Sequence, residues 1–181
     1  MNIFTLQSIT DKNEKENLLA QIKNIFYLSS SLKEFSSEER KIAFFKRWCG
    51  DYVTLYPEEF FIATDDQDHK KVLGYLSGCS DSTHALSQLE VPGYAVFSEL
   101  FSEFPAHLHI NFHPDARGKG LGSKLVIAYA DVLKKKNIHG LHLVTSPEAA
   151  NIPFYERLGF DHQVRKDFNQ MKLLFMGKKL D

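Results

Sequence analysis

AHLHINFHPDARGKGLGS, residues 106–123, changes its period halfway. Over residues 107–113, Leu108, Ile110 and Phe112 alternate with His107, His109, Asn111 and His113, the period of two that belongs to a β-strand with unlike faces. Beyond the glycines, residues 121–136 place Leu121, Leu125, Tyr129, Val132 and Leu133 on one side of a helix, and lysines at 134, 135 and 136 suit its negative end. A strand that passes through a glycine loop into a helix lets loop N–H groups and the positive helix end converge on a phosphate. Two phosphate motifs fail on spacing. No Gly-Lys-Ser/Thr follows the first glycine at the distance a P-loop needs, and Ser123 stands where a dinucleotide fingerprint needs its third glycine.

Working outward, residues 2–6 read as a short strand, and residues 14–28 set Leu18, Leu19, Ile22, Ile25 and Phe26 at helical spacing. Ser36 and Ser37, followed by Glu38 and Glu39, form a helix-start signal ahead of Ile42, Phe44, Phe45 and Trp48. Residues 59–64 and 71–78 are β-type runs around the polar turn DDQDHK, a hairpin signature. Residues 80–105 form an insertion in which Tyr94, Phe97, Leu100, Phe101 and Phe104 predict a short amphipathic helix. A strand over 141–145, a short helix ending at Leu158 with Gly159 as its C-cap, and strands over 162–168 and 171–176 complete the chain.

The 181 residues carry 22 basic and 23 acidic side chains, a balance that creates no global field for nucleic acid or anionic lipid. Cys49 and Cys79 lie too far apart for a zinc or redox pair, which fits a reducing compartment. Acidic residues interrupt the N-terminal apolar stretch before a signal core can form, and no run approaches the roughly 18 apolar residues of a membrane span. Without linkers or repeats, the expectation is one domain over residues 1–181, soluble and cytoplasmic, with neither nucleic acid nor membrane as partner.

The loop Arg117, Gly118, Lys119, Gly120, Leu121, Gly122 satisfies an Arg/Gln-x-x-Gly-x-Gly/Ala pattern, and residues 154–160, FYERLGF, follow it after the expected helix and strand. Together these resemble the GNAT acetyltransferase superfamily. That resemblance implies an α/β fold of the α+β type: a mixed, mostly antiparallel sheet with helices on both faces and a splayed strand pair that forms an acetyl-CoA cleft. It implies an N-acetyltransferase with acetyl-CoA as cosubstrate and direct attack by an amine. Carried over residue by residue, the backbone of Phe112 and His113 would meet pantetheine, and Arg117, Gly118, Lys119, Gly120, Leu121, Gly122 and Ser123 would bind the phosphates. Tyr155 would lie at the thiol end and protonate the departing thiolate. A free phenol titrates near ~10, close to an alkyl thiol, so that transfer is not steeply uphill. The family's asparagine seven residues before the tyrosine is Glu148 here. Asn151, four residues before Tyr155, is the remaining candidate for a helix cap or cofactor contact.

The base that deprotonates the amine has no motif. His109, on the polar side of the key strand with Asn111 and His107, is the candidate catalytic base. A rival reading gives zinc to His107, His109, His113 and His142, but no acid or cysteine stands beside them in sequence, and the expectation is no metal. A second functional class is a non-catalytic acyl-CoA-binding or protein-interaction module. The acceptor, a small-molecule or peptide amine, is left to the variable segments, with the insertion's aromatics as a candidate lid and the last strands as a candidate homodimer edge.

Overall fold

Phe60, Phe61, Ile62 and Ala63 leave almost no surface to water, so the β-type run they form is driven into the middle of a sheet rather than to an edge. The structure, a computed structural model, describes residues 1–30 and 32–181. Its strands are β1 (Asn2–Thr5), β2 (Phe60–Thr64), β3 (Val72–Cys79), β4 (Ala106–Phe112), β5 (Gly140–Thr145), β6 (His162–Phe168) and β7 (Met171–Lys179). Its helices are α1 (Lys12–Ser29), α2 (Glu38–Phe45), α3 (Asp51–Leu55), α4 (Ser82–Ala85), α5 (Leu121–Lys135) and α6 (Ile152–Glu156). Among the described residues, the seven strands form one sheet in the order β1-β2-β3-β4-β5-β7-β6. β1–β2, β2–β3, β5–β7 and β6–β7 pair antiparallel, whereas β4–β5 is parallel. The parallel ladder holds only Ala106↔Leu141 and His107↔His142, so residues 108–112 of β4 and 143–145 of β5 lie beyond its last pair.

The chain divides into two compact units, Met1–Gly78 with His109–Tyr129 and Cys79–Leu108 with Ala130–Asp181. In the first, the N–H of Glu14 donates to the Asp11 carboxylate (2.7 Å) and starts α1, which buries Leu18, Ile22, Ile25 and Phe26. The N–H of Arg40 donates to Ser37 Oγ, the cap expected for α2. A π-helical turn, Lys46–Gly50, joins α2 to α3 and turns Cys49 and Tyr52 inward. Gly74 packs directly under the Phe112 ring, where any side chain would collide with it.

In the second unit the insertion is core. Tyr94, Phe97, Phe101 and Phe104 pack with Phe175 of β7, each burying surface worth roughly 1.5–3 kcal/mol. The spacing read as an amphipathic helix is a 3-10 helix, Tyr94–Leu100, and its aromatic face is committed to this cluster rather than forming a lid. The His142 ring lies between Phe101 (5.1 Å) and Phe175 (4.6 Å), and its Nδ1–H donates to the Phe104 carbonyl (2.7 Å). Among the described residues no helix is long and apolar enough to cross a membrane.

Candidate active site

β4 ends at Phe112, and His113 turns the chain into the loop. The His113 N–H donates to the Leu73 carbonyl (2.9 Å), while its ring Nδ1 accepts from the Asp115 N–H (3.3 Å) and caps the 3-10 turn Pro114–Ala116. Because side-edge polarity alternates along a strand, a His113 amide facing β3 places the Phe112 amide and carbonyl on the opposite edge. There the Phe112 carbonyl accepts from Arg117 Nε (3.2 Å) and Ser29 Oγ (3.2 Å), and an Arg117 terminal nitrogen donates to Ser29 Oγ (3.0 Å). Arg117 therefore ties the loop to β4 and α1. Ser29, 88 residues away in sequence, was not legible as its partner.

Gly118 (φ 74°) and Gly120 (φ 71°) are both left-handed, the conformation that favours glycine. Nothing lies within 4 Å of where a side chain at either would begin, so the glycines face open space. Directly after them α5 begins at Leu121, and its first-turn N–H groups, from Leu121, Gly122 and Ser123 onward, have no intrahelical acceptor by geometry. Lys119 is exposed between the two glycines. Exposed loop amides, the amides of the first turn of α5 and the Lys119 ammonium together suit an anion such as a pyrophosphate.

On β4, His109 and Asn111 point to the same side and are half-buried, each held by a tyrosine hydroxyl. His109 stands edge-on to Trp48 (5.5 Å) and Tyr52 (5.4 Å), with its Nε2 in a hydrogen bond to the Tyr52 hydroxyl (3.2 Å). Burial against these rings depresses its pKa to about 4. Asn111 Nδ2 donates to the Tyr75 hydroxyl (2.9 Å). The strand face read as polar is thus partly covered at His109, by Tyr52 of α3 and Trp48 of the π turn.

In the second unit, Asn151 sits at the start of α6 with no side-chain capping bond; its carbonyl accepts from the N–H groups of Phe154 and Tyr155, and Pro153 occupies the first turn. Tyr155 is buried, its ring against Phe154 (5.0 Å) and Phe160 (5.6 Å), and burial raises its pKa. α6 ends at Glu156, two residues before the expected Leu158, and left-handed Gly159 (φ 83°) closes the turn that follows, its N–H donating to the Glu156 carbonyl (2.9 Å). Tyr94 joins this neighbourhood, its own pKa raised first by burial and then by repulsion from Tyr155, a neighbour that no local sequence pattern announces.

The histidines considered for zinc have other partners. His107 is buried with Ser82 Oγ on its Nδ1 (2.8 Å) and the Tyr94 ring at 5.0 Å, and His142 is held as described above. Among the described residues no group of three or more histidine, cysteine or acidic side chains is placed to hold a metal.

Residues 21–160 match the model of the acetyltransferase (GNAT) family. The fold is similar to the crystal structure of SsHAT, with TM-score 0.70, 19% identity, and 99% of this chain and 98% of that chain covered. It is also similar to YncA from Salmonella typhimurium, solved with its cofactor acetyl-CoA (TM-score 0.56, 20% identity, 100% and 94% covered). A third similar structure is a ribosomal-protein-alanine N-acetyltransferase from Brucella melitensis (TM-score 0.58, 20% identity, 99% and 100% covered).

Proposed function

Because the chain belongs to the GNAT acetyltransferase family, we propose that it acts as one N-acetyltransferase domain that moves an acetyl group from acetyl-CoA to an amine. The observation that carries the reading is the pair of left-handed glycines facing open space ahead of α5. Amides of Gly118, Lys119, Gly120, Leu121, Gly122 and Ser123 would hold the pyrophosphate, with the Lys119 ammonium adding charge. Arg117 would fix the loop's shape through its bonds to Phe112 and Ser29. The Phe112 carbonyl is engaged by those partners, so its N–H, on the same strand edge, is the group offered to pantetheine, with His113 holding the turn.

Acetyl-CoA supplies a thioester-activated acetyl group. An N–C bond forms as the C–S bond breaks; Tyr155 donates its phenolic proton to the sulfur, and the proton shed by the amine returns to it through solvent. Burial keeps Tyr155 a phenol at working pH, although it makes the group a weaker acid than free tyrosine. His109, neutral at pH 7, would accept a hydrogen bond from the amine or a water and orient it. The remaining cofactor contact, at the thiol end, falls to Asn151 and α6. The amine acceptor of the Brucella relative favours this catalytic reading over a non-catalytic acyl-CoA-binding module.

The test is CoA thiol release in the presence of an amine panel, in wild type and Tyr155→Phe. Amine-dependent release, reduced about 10²-fold by the substitution with acetyl-CoA affinity retained, is expected. Release that no amine stimulates would favour the binding module, and unchanged turnover would remove Tyr155 from the chemistry.

A further inference from the structure

A cavity of about 180 Å³ opens in the first unit, lined by Phe26, Ser30, Phe44, Trp48, His109 and Asn111. Three of the six are aromatic. Phe26 is buried and its ring meets Phe44 at 5.3 Å, which makes a continuous wall, and Trp48 closes another side edge-on to His109 (5.5 Å). The polar floor is fixed from beneath by two tyrosines, Tyr52 on His109 and Tyr75 on Asn111. His109 and Asn111 are two residues apart on β4, the strand that ends at His113 and leads into the glycine loop, with His113 roughly 13 Å along the strand from His109. The cavity and the loop thus share one strand within one unit.

None of the six lining residues carries a carboxylate. A polyamine or aminoglycoside would find no ion-pair partner in this lining for its additional ammonium groups, which would gain only what aromatic faces and water supply. His109 is held neutral by burial and supplies no opposing charge. The volume is close to that of a cavity that takes a single benzene ring, about 150 Å³, with space for a short arm. We infer that this cavity binds the acceptor and selects a compact arylalkyl monoamine, its ring against Phe26, Phe44 and Trp48 and its nitrogen toward His109 and Asn111. The assignment of this occupant as acceptor rests on the N-acetyltransferase reading.

Trp48 is the only tryptophan in the chain, so its fluorescence reports the cavity without requiring turnover or acetyl-CoA. Titration of the full chain with 2-phenylethylamine should give a saturable change with Kd near a millimolar, about what nine heavy atoms deliver. Spermidine should give none over the same range. Phe44→Ala should raise the phenylethylamine Kd about tenfold or more by removing a wall. Ser30→Asp, which adds a carboxylate to the lining without touching the aromatic wall, should make the protein respond to spermidine even if Phe44→Ala does not fold. Absence of a saturable phenylethylamine response, or spermidine binding to wild type as tightly, would overturn the inference. Acetyl-CoA binding, followed separately by thermal shift, keeps the two readings apart. Failure there removes the acetyltransferase assignment, while acetyl-CoA binding without a phenylethylamine response removes only this one.

Discussion

Gly120→Ala should weaken acetyl-CoA binding while leaving the protein folded. At φ 71° the added methyl meets nothing within 4 Å, so packing contributes no cost. What remains is the left-handed backbone, about 1–2 kcal/mol for a residue with a Cβ. The loop is exposed, so it can relax to another conformation without unfolding the sheet or α5. Binding must then restore the left-handed turn, and the same 1–2 kcal/mol appears as a roughly 5- to 30-fold rise in the acetyl-CoA Kd. The melting midpoint without ligand should fall by no more than a few degrees for a chain of this length. Gly50→Ala is the control: Gly50 has ordinary helical angles (φ −63°, ψ −39°), and its added methyl would lie 3.4 Å from the Phe45 ring, so acetyl-CoA affinity should not change. Isothermal titration of the three proteins decides the matter. Wild-type affinity in Gly120→Ala, or an equal loss in Gly50→Ala, would show that the loop's shape is not what binds the cofactor.

His109 gives a stability signature. Its folded pKa, about 4 against 6.5 unperturbed, means that the unfolded chain binds the extra proton first. Stability is therefore retained above pH 6.5 and lost as pH falls toward 4, by at most about 3 kcal/mol at 1.4 kcal/mol per unit. His109→Gln should flatten that slope in urea titrations at pH 6.5 and 4.5, and a slope equal to wild type would mean that another group carries it. Gly78→Ala would drive a methyl into the buried Tyr129 ring, whose hydroxyl donates to Glu59 (2.9 Å), so it should cost about 1–3 kcal/mol or more by urea unfolding; wild-type stability would show that the ring yields freely.

The local patterns carried much of this. The alternation through β4, the hairpin of β2 and β3, the cap at Ser37 and the left-handed turn at Gly159 all depend on neighbours within a few residues, and each is found where its pattern places it. The glycine loop was legible for the same reason, since left-handed turns demand glycine locally. What covers a face is not local. The histidine face of β4 reads as polar, yet Trp48 and Tyr52 cover His109, and Ser82 and Tyr94 cover His107. The insertion's aromatic spacing was visible, but its partner Phe175 lies more than seventy residues later, and the same pattern suits either a lid or a core. Arg117 matched a motif position, whereas its anchoring by Ser29 depends on a contact across nearly half of the chain. Nothing in the sequence announced the π turn that brings Cys49 and Tyr52 inward.

The most direct test of the central claim is thermal unfolding of the wild-type chain with excess acetyl-CoA, beside ATP and NAD. At about 100 times its Kd a ligand contributes ~2.7 kcal/mol, which for this chain length raises the midpoint by roughly 5–10 °C. The account predicts that rise for acetyl-CoA, with ATP and NAD well below it. No shift at millimolar acetyl-CoA, or an equal shift with ATP, would contradict an acetyl-CoA site at the glycine loop.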